Sequence, residues 1–407
     1  MATRQGHANE IAIRMYRVGF GDCFLLTFPS SGMPSHILID CRVHAKGDIK
    51  TIAKAVDNVG KVTNGKLAVV VATHAHQDHI SGFAKCEEQF KKFDVKEVWL
   101  PWTENPKDAQ AARLKRKHVA LTEHLANHFA ARAGSPEAMA AVMNLAGNQE
   151  SLRLLKSGFG NSTVRYLEAG VELNEPASIK NLSVKVLGPP RDEKFLGRMD
   201  PPKDQRFLRL GANGKREPVN GVEPFRDKFR VDRKALAQEF PVLSTADERA
   251  LGEMANDPDA LAFALDQALN NTSVVTLFTY ASQYLLFPGD AQYGNWDGWI
   301  GKPDADDILS RVGFYKVGHH GSYNATPKAA LQKMPHGEFA AMASTQSVPW
   351  ASIPLSKLMD ALGHQSSNRV VRSDSIIIKD APRGPKLSKL PPGFTQGDFW
   401  FEYRVAV

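Results

Sequence analysis

The apolar run Leu67-Ala68-Val69-Val70-Val71-Ala72 ends abruptly in Thr73-His74-Ala75-His76-Gln77-Asp78-His79. Six consecutive apolar residues read as a strand buried on both faces. Three imidazoles and a carboxylate follow within six residues. Neutral imidazole and carboxylate are the side chains that hold divalent first-row metals. A strand tip entering a tight turn can aim alternate residues at one point, so His74 and His76 are expected to face one ion. Asp78 and His79, past the turn, are expected to face a second. An ordinary polar turn is the alternative, and it leaves the coincidence of four ligand-type residues unaccounted for.

Two later segments have the same grammar. Leu285-Leu286-Phe287-Pro288 runs into Gly289-Asp290, and Phe314-Tyr315-Lys316-Val317-Gly318 runs into His319-His320-Gly321-Ser322. A Gly-Asp pair after a strand is usually just a turn, and paired histidines are usually solvated. Three such strand ends in one chain carry more weight than each alone, because a binuclear centre gathers ligands from several strand tips, a bridging carboxylate among them.

H-x-H-x-D-H after a strand, a later Gly-Asp and a late histidine resemble the metallo-β-lactamase superfamily of metal-dependent hydrolases. The closer resemblance is to the branch seen in the hydrolase domain of the DNA-uptake protein ComEC. That branch has a D-V-G-Q-G-D-like turn, here Arg17-Val18-Gly19-Phe20-Gly21-Asp22, followed by the strand from Cys23 to Phe28. It has a strand ending in Asp, here His36-Ile37-Leu38-Ile39-Asp40. Asn271-Thr272-Ser273-Val274-Val275 matches its N-x-S-x-V, and Lys316 to Ser322 its K-V-x-H-H-G-S. Leu182 to Pro190 matches its strand and proline turn. The matches span residues 11 to about 380 outside two insertions.

There are departures. The ComEC-like branch tends to read H-x-D-x-D-H, whereas His76 restores the second histidine of the wider superfamily. The branch also carries Tyr-Gly-His-Pro after H-H-G-S. The corresponding stretch here is Val348-Pro349-Trp350-Ala351-Ser352-Ile353-Pro354, with Ile353 where the histidine would sit. Either His319 and His320 both serve the site, or a distant histidine does, or one ion is held weakly.

The resemblance implies an α/β fold, an αββα sandwich of two mixed sheets flanked by helices. The alternation of strands and helices only permits it. The whole chain, 1–407, is read as one such domain with a helical insertion at about 105–158 and a basic loop followed by helices at about 189–270. Strands are expected at residues 11–28, 36–40, 95–101, 273–279, 283–287, 374–379 and 399–405. Helices are expected at 47–58, 80–93, 106–157 with a break at Gly134-Ser135-Pro136, 234–254 and 258–269. The helical insertion contains His118, His124 and His128. The last two are spaced i, i+4 and could grip an ion from one helical face, although most such pairs are only solvated or packed.

Residues 191–234 hold 13 Lys or Arg against 8 Asp or Glu, most of the excess of a chain whose net charge is +7. Phe207, Phe225 and Phe229 alternate with Arg206, Arg209, Arg226 and Arg230. Such a loop suits a nucleic acid or nucleotide, through charge and base stacking. The plainer reading is a solvated loop pinned by its phenylalanines. No apolar run approaches the length of a membrane span, and Met1 to Glu10 lacks the apolar core of a secretory signal, so a cytoplasmic location is expected. Cys23, Cys41 and Cys86 are odd in number and show no C-x-x-C spacing, and they read as reduced core thiols.

The expected cofactor is two divalent ions, zinc first, with manganese or iron also suited to the ligand set. The expected ligands are His74, His76, Asp78, His79, Asp290 and the His319/His320 pair. Asp290 is expected to bridge and Asp78 to orient the attacking hydroxide. Whichever of His319 and His320 does not ligate is expected to protonate the leaving group. Asp40 is expected to orient a ligating histidine. Phosphodiester hydrolysis is the expected reaction. Hydrolysis of a lactone, thioester or other small ester, and a non-catalytic metal-binding module, are the alternatives.

Overall fold

The computed structural model describes residues 9–42, 52–116, 118–119, 148–207, 269–346, 353–375 and 389–407. Among these, two mixed sheets form. The first has β1 (Glu10–Tyr16), β2 (Phe24–Phe28), β3 (Ser35–Ile39), β4 (Lys66–Val71), β5 (Asp94–Pro101), β6 (Thr163–Leu167), β14 (Phe394–Gly397) and β15 (Trp400–Ala406), in the order β14-β15-β1-β2-β3-β4-β5-β6. Pairing is antiparallel as far as β3 and parallel from β3 to β6. The second has β7 (Glu172–Asn174), β8 (Leu182–Gly188), β9 (Val275–Tyr280), β10 (Gln283–Phe287), β11 (Val312–Lys316), β12 (Ala340–Ala343) and β13 (Val370–Arg372), in the order β13-β12-β11-β10-β9-β8-β7. Here β10 to β13 run parallel and the others antiparallel.

Strand periodicity explains the layers. In β1, Ile11, Ile13 and Met15 face inward, and in β2 Phe24, Leu26 and Phe28 do so. They meet Val184, Phe278, Leu285, Phe287 and Phe314 from the second sheet in one shared core. In β4, Val69 and Val71 enter that core, whereas Val70 and Ala72 face the helices Ile52–Thr63 and Gln77–Lys85 on the outer side. Burial on both faces is why this strand is a continuous apolar run. The second sheet is backed in turn by the helices Tyr293–Ile300, Ala305–Ser310 and Ser356–Gln365. The layers run helices, sheet, sheet, helices. Each large apolar side chain buried this way contributes roughly 1.5–3 kcal/mol.

Several elements differ from the sequence reading. The expected helix at 47–58 is seen as Ile52–Thr63, five residues longer at its end, and 43–51 lie outside the described residues. The single helix expected at 80–93 is two, Gln77–Lys85 and Glu87–Phe90, parted at Cys86, whose φ of -114° leaves the helical region. Asp374 sits in a turn after β13, and 376–379 of the expected strand lie outside the described residues. The hairpin of β9 and β10 turns on Ala281 and Ser282 alone, with φ of 46° and 68°, the positive values that a two-residue hairpin loop demands. His124, His128, the break at 134–136, the helices at 234–254 and 258–268, Val348 to Ser352, and 208–234 of the basic segment all lie outside the described residues. No helix among the described residues is long and apolar enough to cross a membrane.

Candidate metal centre

The parallel strands bring their carboxyl ends to one edge. Asp40 follows β3, the turn with His74 and His76 follows β4, Asp290 follows β10, His320 follows β11 and Ser344 follows β12. Because β2 and β9 run the other way, it is their amino-terminal ends that reach this edge, with Asp22 and Asn270. Backbone bonds stitch the edge together: Asp40 N donates to Val71 O at 2.8 Å, Val274 N to Thr73 O at 2.8 Å, and His319 N to Gly289 O at 3.2 Å. Gly82 lets the helix Gln77–Lys85 press against the end of β3. A Cβ there would collide with the Cys41 carbonyl oxygen and lie 2.8 Å from Cys41 Sγ.

Among the described residues, donor atoms converge in three buried groups: first His74, His76 and Asp78; second Asp78, His79, Asp290 and His320; third Asp22, Asp40 and His79. In the first, His74 Nε2 lies 3.0 Å from His76 Nδ1. In the second, Asp290 Oδ2 lies 3.0 Å from His79 Nε2 and 3.1 Å from His320 Nε2. Those approaches are short, yet neither ring nitrogen points along a hydrogen bond, and Asp78 Oδ1 has no hydrogen-bond partner either. Buried polar atoms that crowd together without bonding one another are costly as they stand. They are what a cation between them would satisfy, so the donor set could hold a metal ion.

The opposite faces of the second group's imidazoles are pinned. Asp40 Oδ2 lies 2.7 Å from His79 Nδ1, while Asp40 also accepts from Thr73 N and Thr73 Oγ1, both at 2.7 Å. His320 Nδ1 donates to the Ser344 carbonyl at 2.7 Å. Fixing Nδ1 leaves Nε2 as the lone-pair nitrogen. The orienting role expected of Asp40 thus has its geometry. Asp22 lies 3.8 Å from His79 Nδ1 and 3.7 Å from His320 Nδ1, and pairs with the Lys316 ammonium.

Electrostatics follow from this packing. Burial opposes ionisation of His79, but Asp290 and Asp40 override it and raise its pKa well above the usual value. His320 is raised as well, with Asp290 overcoming its burial. Burial would raise Asp290, yet His320, His79 and Lys316 hold it well below the carboxylate range. Burial pushes His74 well down, helped by the neighbouring imidazoles, and lowers His319 to about 4.

Of the residues expected at the site, His74, His76, Asp78, His79, Asp290 and His320 come together. His319 belongs to none of these groups, although Asp290, His320, Asp78 and His76 all act on its charge; its Nε2 lies 3.4 Å from Asn270 Nδ2 and its φ is 40°. Asp78 belongs to the first and second groups and His79 to the second and third, while the Asp290 charge reaches His74 too. Ile353 brings no donor atom, and Pro354 beside it packs on Gly321, where a Cβ would meet Pro354 Cβ at 2.7 Å. Half-buried His118 is held at about 4 by burial and by His76, which places its ring within electrostatic reach of this turn. Asn148, at the far end of the helical insertion, donates to the Ala75 carbonyl.

Sequence reasoning gave no role to Lys316, Asn270, Arg42 or Ser344. Lys316 Nζ donates to Gly289 O at 2.8 Å and lies 3.2 Å from Asp290 Oδ1. Arg42 Nη1 lies 3.8 Å from Asp78 Oδ1. A lysine inside the apolar strand end of β11 was the available signal for the first; a lone Arg or Asn carries none. Cys23, Cys41 and Cys86 are buried and free, and burial pushes the Cys41 and Cys86 thiols up. When the chain is compared with known proteins, no family model and no curated protein matches it.

Proposed function

We propose that this chain is a metal-dependent hydrolase of the metallo-β-lactamase fold, acting on phosphodiesters at a binuclear centre. The observation that carries this reading is the pair of buried donor groups sharing Asp78 at the carboxyl edge of both sheets. His74, His76 and Asp78 would hold one ion, and Asp78, His79, Asp290 and His320 the other. Bound there, two divalent ions would supply hydroxide at neutral pH and take up charge on the reacting oxygens. The chain's own part is to keep the donors still. Asp40 and the Ser344 carbonyl fix the two imidazoles of the second group, and Lys316 anchors one Asp290 oxygen while the other faces the histidines. Asp78 remains the candidate to orient the nucleophile. His319, neutral when held near 4, is a poor proton donor at pH 7, so His319 as leaving-group acid would need protonation during turnover.

Support for a phosphate substrate comes from the resemblance and from charge. In residues 191–207, five Lys or Arg face four Asp or Glu. Three of the five cations there are paired, Arg191 with Asp108 and Glu168, Lys194 with Asp192 and Arg198 with Asp297. Most of the excess positive charge therefore belongs to 208–234, which hold eight Lys or Arg against four Asp or Glu. The deciding experiment measures metal content alongside hydrolysis of bis-(p-nitrophenyl) phosphate, single-stranded DNA and a lactone. Two ions per chain and phosphodiester turnover are expected. Protein that binds no zinc or manganese sinks the reading, and lactone turnover alone replaces the substrate class.

A further inference from the structure

We propose that Asn270 supplies a third protein donor, its carboxamide oxygen, to the ion held by His74 and His76, and that this tilts that half of the centre toward a hard ion such as Mn2+. This rests on the binuclear reading above. Asn270 is almost wholly buried. Its Oδ1 lies 3.0 Å from His76 Nδ1, the same nitrogen that lies 3.0 Å from His74 Nε2. A single ring nitrogen has at most one proton, and so can hydrogen-bond as donor to only one of these two neighbours. Two ligands each about 2.1 Å from an ion at a tetrahedral angle stand roughly 3.4 Å apart. Both 3.0 Å separations from His76 Nδ1 are close to that spacing.

The local chain explains why Asn270 is there. Ser273 N donates to Asn270 O at 3.0 Å and Thr272 N to Leu269 O at 2.9 Å, closing a tight turn, and Val274 N then docks on Thr73 O beside His74. The neighbouring Asn271 is occupied elsewhere. Its Nδ2 donates to the carbonyls of Leu196 and Arg198 at 3.1 and 3.0 Å, and its Oδ1 accepts from Gln292 N and Asn295 N. One asparagine rivets the loops, and the other faces the histidines. Carbonyl and carboxylate oxygens suit Mn2+, whereas a further imidazole or thiolate suits zinc. With Asp78, the set around this ion becomes two nitrogens and two oxygens.

The test compares the wild-type chain with Asn270→Ala, Asn270→Asp, Asn270→His and His319→Ala. Bound Mn2+ and Zn2+ are counted by elemental analysis, affinities read by calorimetry, and folding checked by circular dichroism. Asn270→Ala is expected to weaken one of two ions by at least about tenfold and leave the other unchanged. Asn270→Asp, nearly isosteric, should keep both ions, which separates loss of a donor from loss of the fold. Asn270→His should raise Zn2+ affinity relative to Mn2+ at that site. Wild-type protein binding two ions, with Asn270→Ala unchanged or with the loss falling on His319→Ala instead, overturns this assignment and leaves the binuclear reading standing. Wild-type protein that binds neither metal overturns both.

Discussion

Asp290 divides its two oxygens between different tasks: Oδ1 lies 3.2 Å from the Lys316 ammonium, and Oδ2 sits between His79 Nε2 and His320 Nε2. Removing this carboxylate leaves the buried His79 and His320 imidazoles without the oxygen between them and the Lys316 ammonium with Asp22 as its remaining carboxylate partner, while the fold, which rests on the sheet cores, is expected to persist. Asp290→Ala should therefore lose one ion and more activity than the roughly 10–100-fold that removal of an outer partner costs. A protein with full metal content after this change would refute the assignment. Asp40→Ala removes such an outer partner, with its bonds to His79, Thr73 N and Thr73 Oγ1. It should weaken metal binding by about 10–100-fold, as read by competition with a chromophoric chelator. At this scale the sequence was legible where several ligand types fall within one turn, as in His74, His76, Asp78 and His79. It was illegible where the partner is a backbone carbonyl, as for His320 with Ser344, or a residue type as common as Asn270. Those depend on chain segments brought together only by the tertiary fold.

Between residue and fold, the helix Gln77–Lys85 carries Asp78 and His79 in its first turn and is seated by contacts with the end of β3. Cys41 N donates to His79 O at 2.7 Å and Gly82 N to Cys41 O at 2.8 Å. Gly82→Ala forces a methyl group into that backbone contact and should cost about 1–3 kcal/mol of stability, the usual range for overpacking. By lifting Asp78 and His79, it should weaken both ions together; chemical denaturation and metal titration measure the two effects. The basic segment belongs at this scale too. Most of its excess charge lies in 208–234, so replacing Arg209, Arg226 and Arg230 with Ser should flatten the salt dependence of cleavage of DNA or RNA. Turnover of bis-(p-nitrophenyl) phosphate should be unchanged. Equal loss on both substrates would mean that the segment supports the site without recruiting a polyanion. Buried strands were plain in the sequence because their apolar runs are short and bounded by turns, as with Leu285 to Asp290. Helix ends were less so. The break at Cys86 has no Gly or Pro to announce it, and β13 is only three residues long.

On the scale of the whole molecule, the centre stores protons that ions must displace. With no ion bound, Asp290 and Asp40 favour the protonated form of His79, and Asp290 favours that of His320, while the two imidazoles in turn hold Asp290 below its usual range. The sign of the stability effect follows from comparing folded with unfolded chain. For His79 and His320, the contribution is fully present below the unfolded pKa of about 6.5 and is lost as pH rises through the higher folded values. For Asp290 it is present above the unfolded value of about 4 and is lost as pH falls toward the lower folded one. From these groups the ion-free protein draws most stability between about pH 4 and 6.5. Ion binding needs deprotonated imidazoles, so it must release protons and strengthen as pH rises. Calorimetric metal titrations at pH 7, in buffers of different ionisation enthalpy, should show net release of more than about one proton per chain. The thermal stabilisation conferred by metal should be larger at pH 8 than at pH 6. Binding without proton release, or stabilisation that shrinks as pH rises, would mean that His79 and His320 are already neutral in the ion-free protein, and that Asp290 is paired with Lys316 alone.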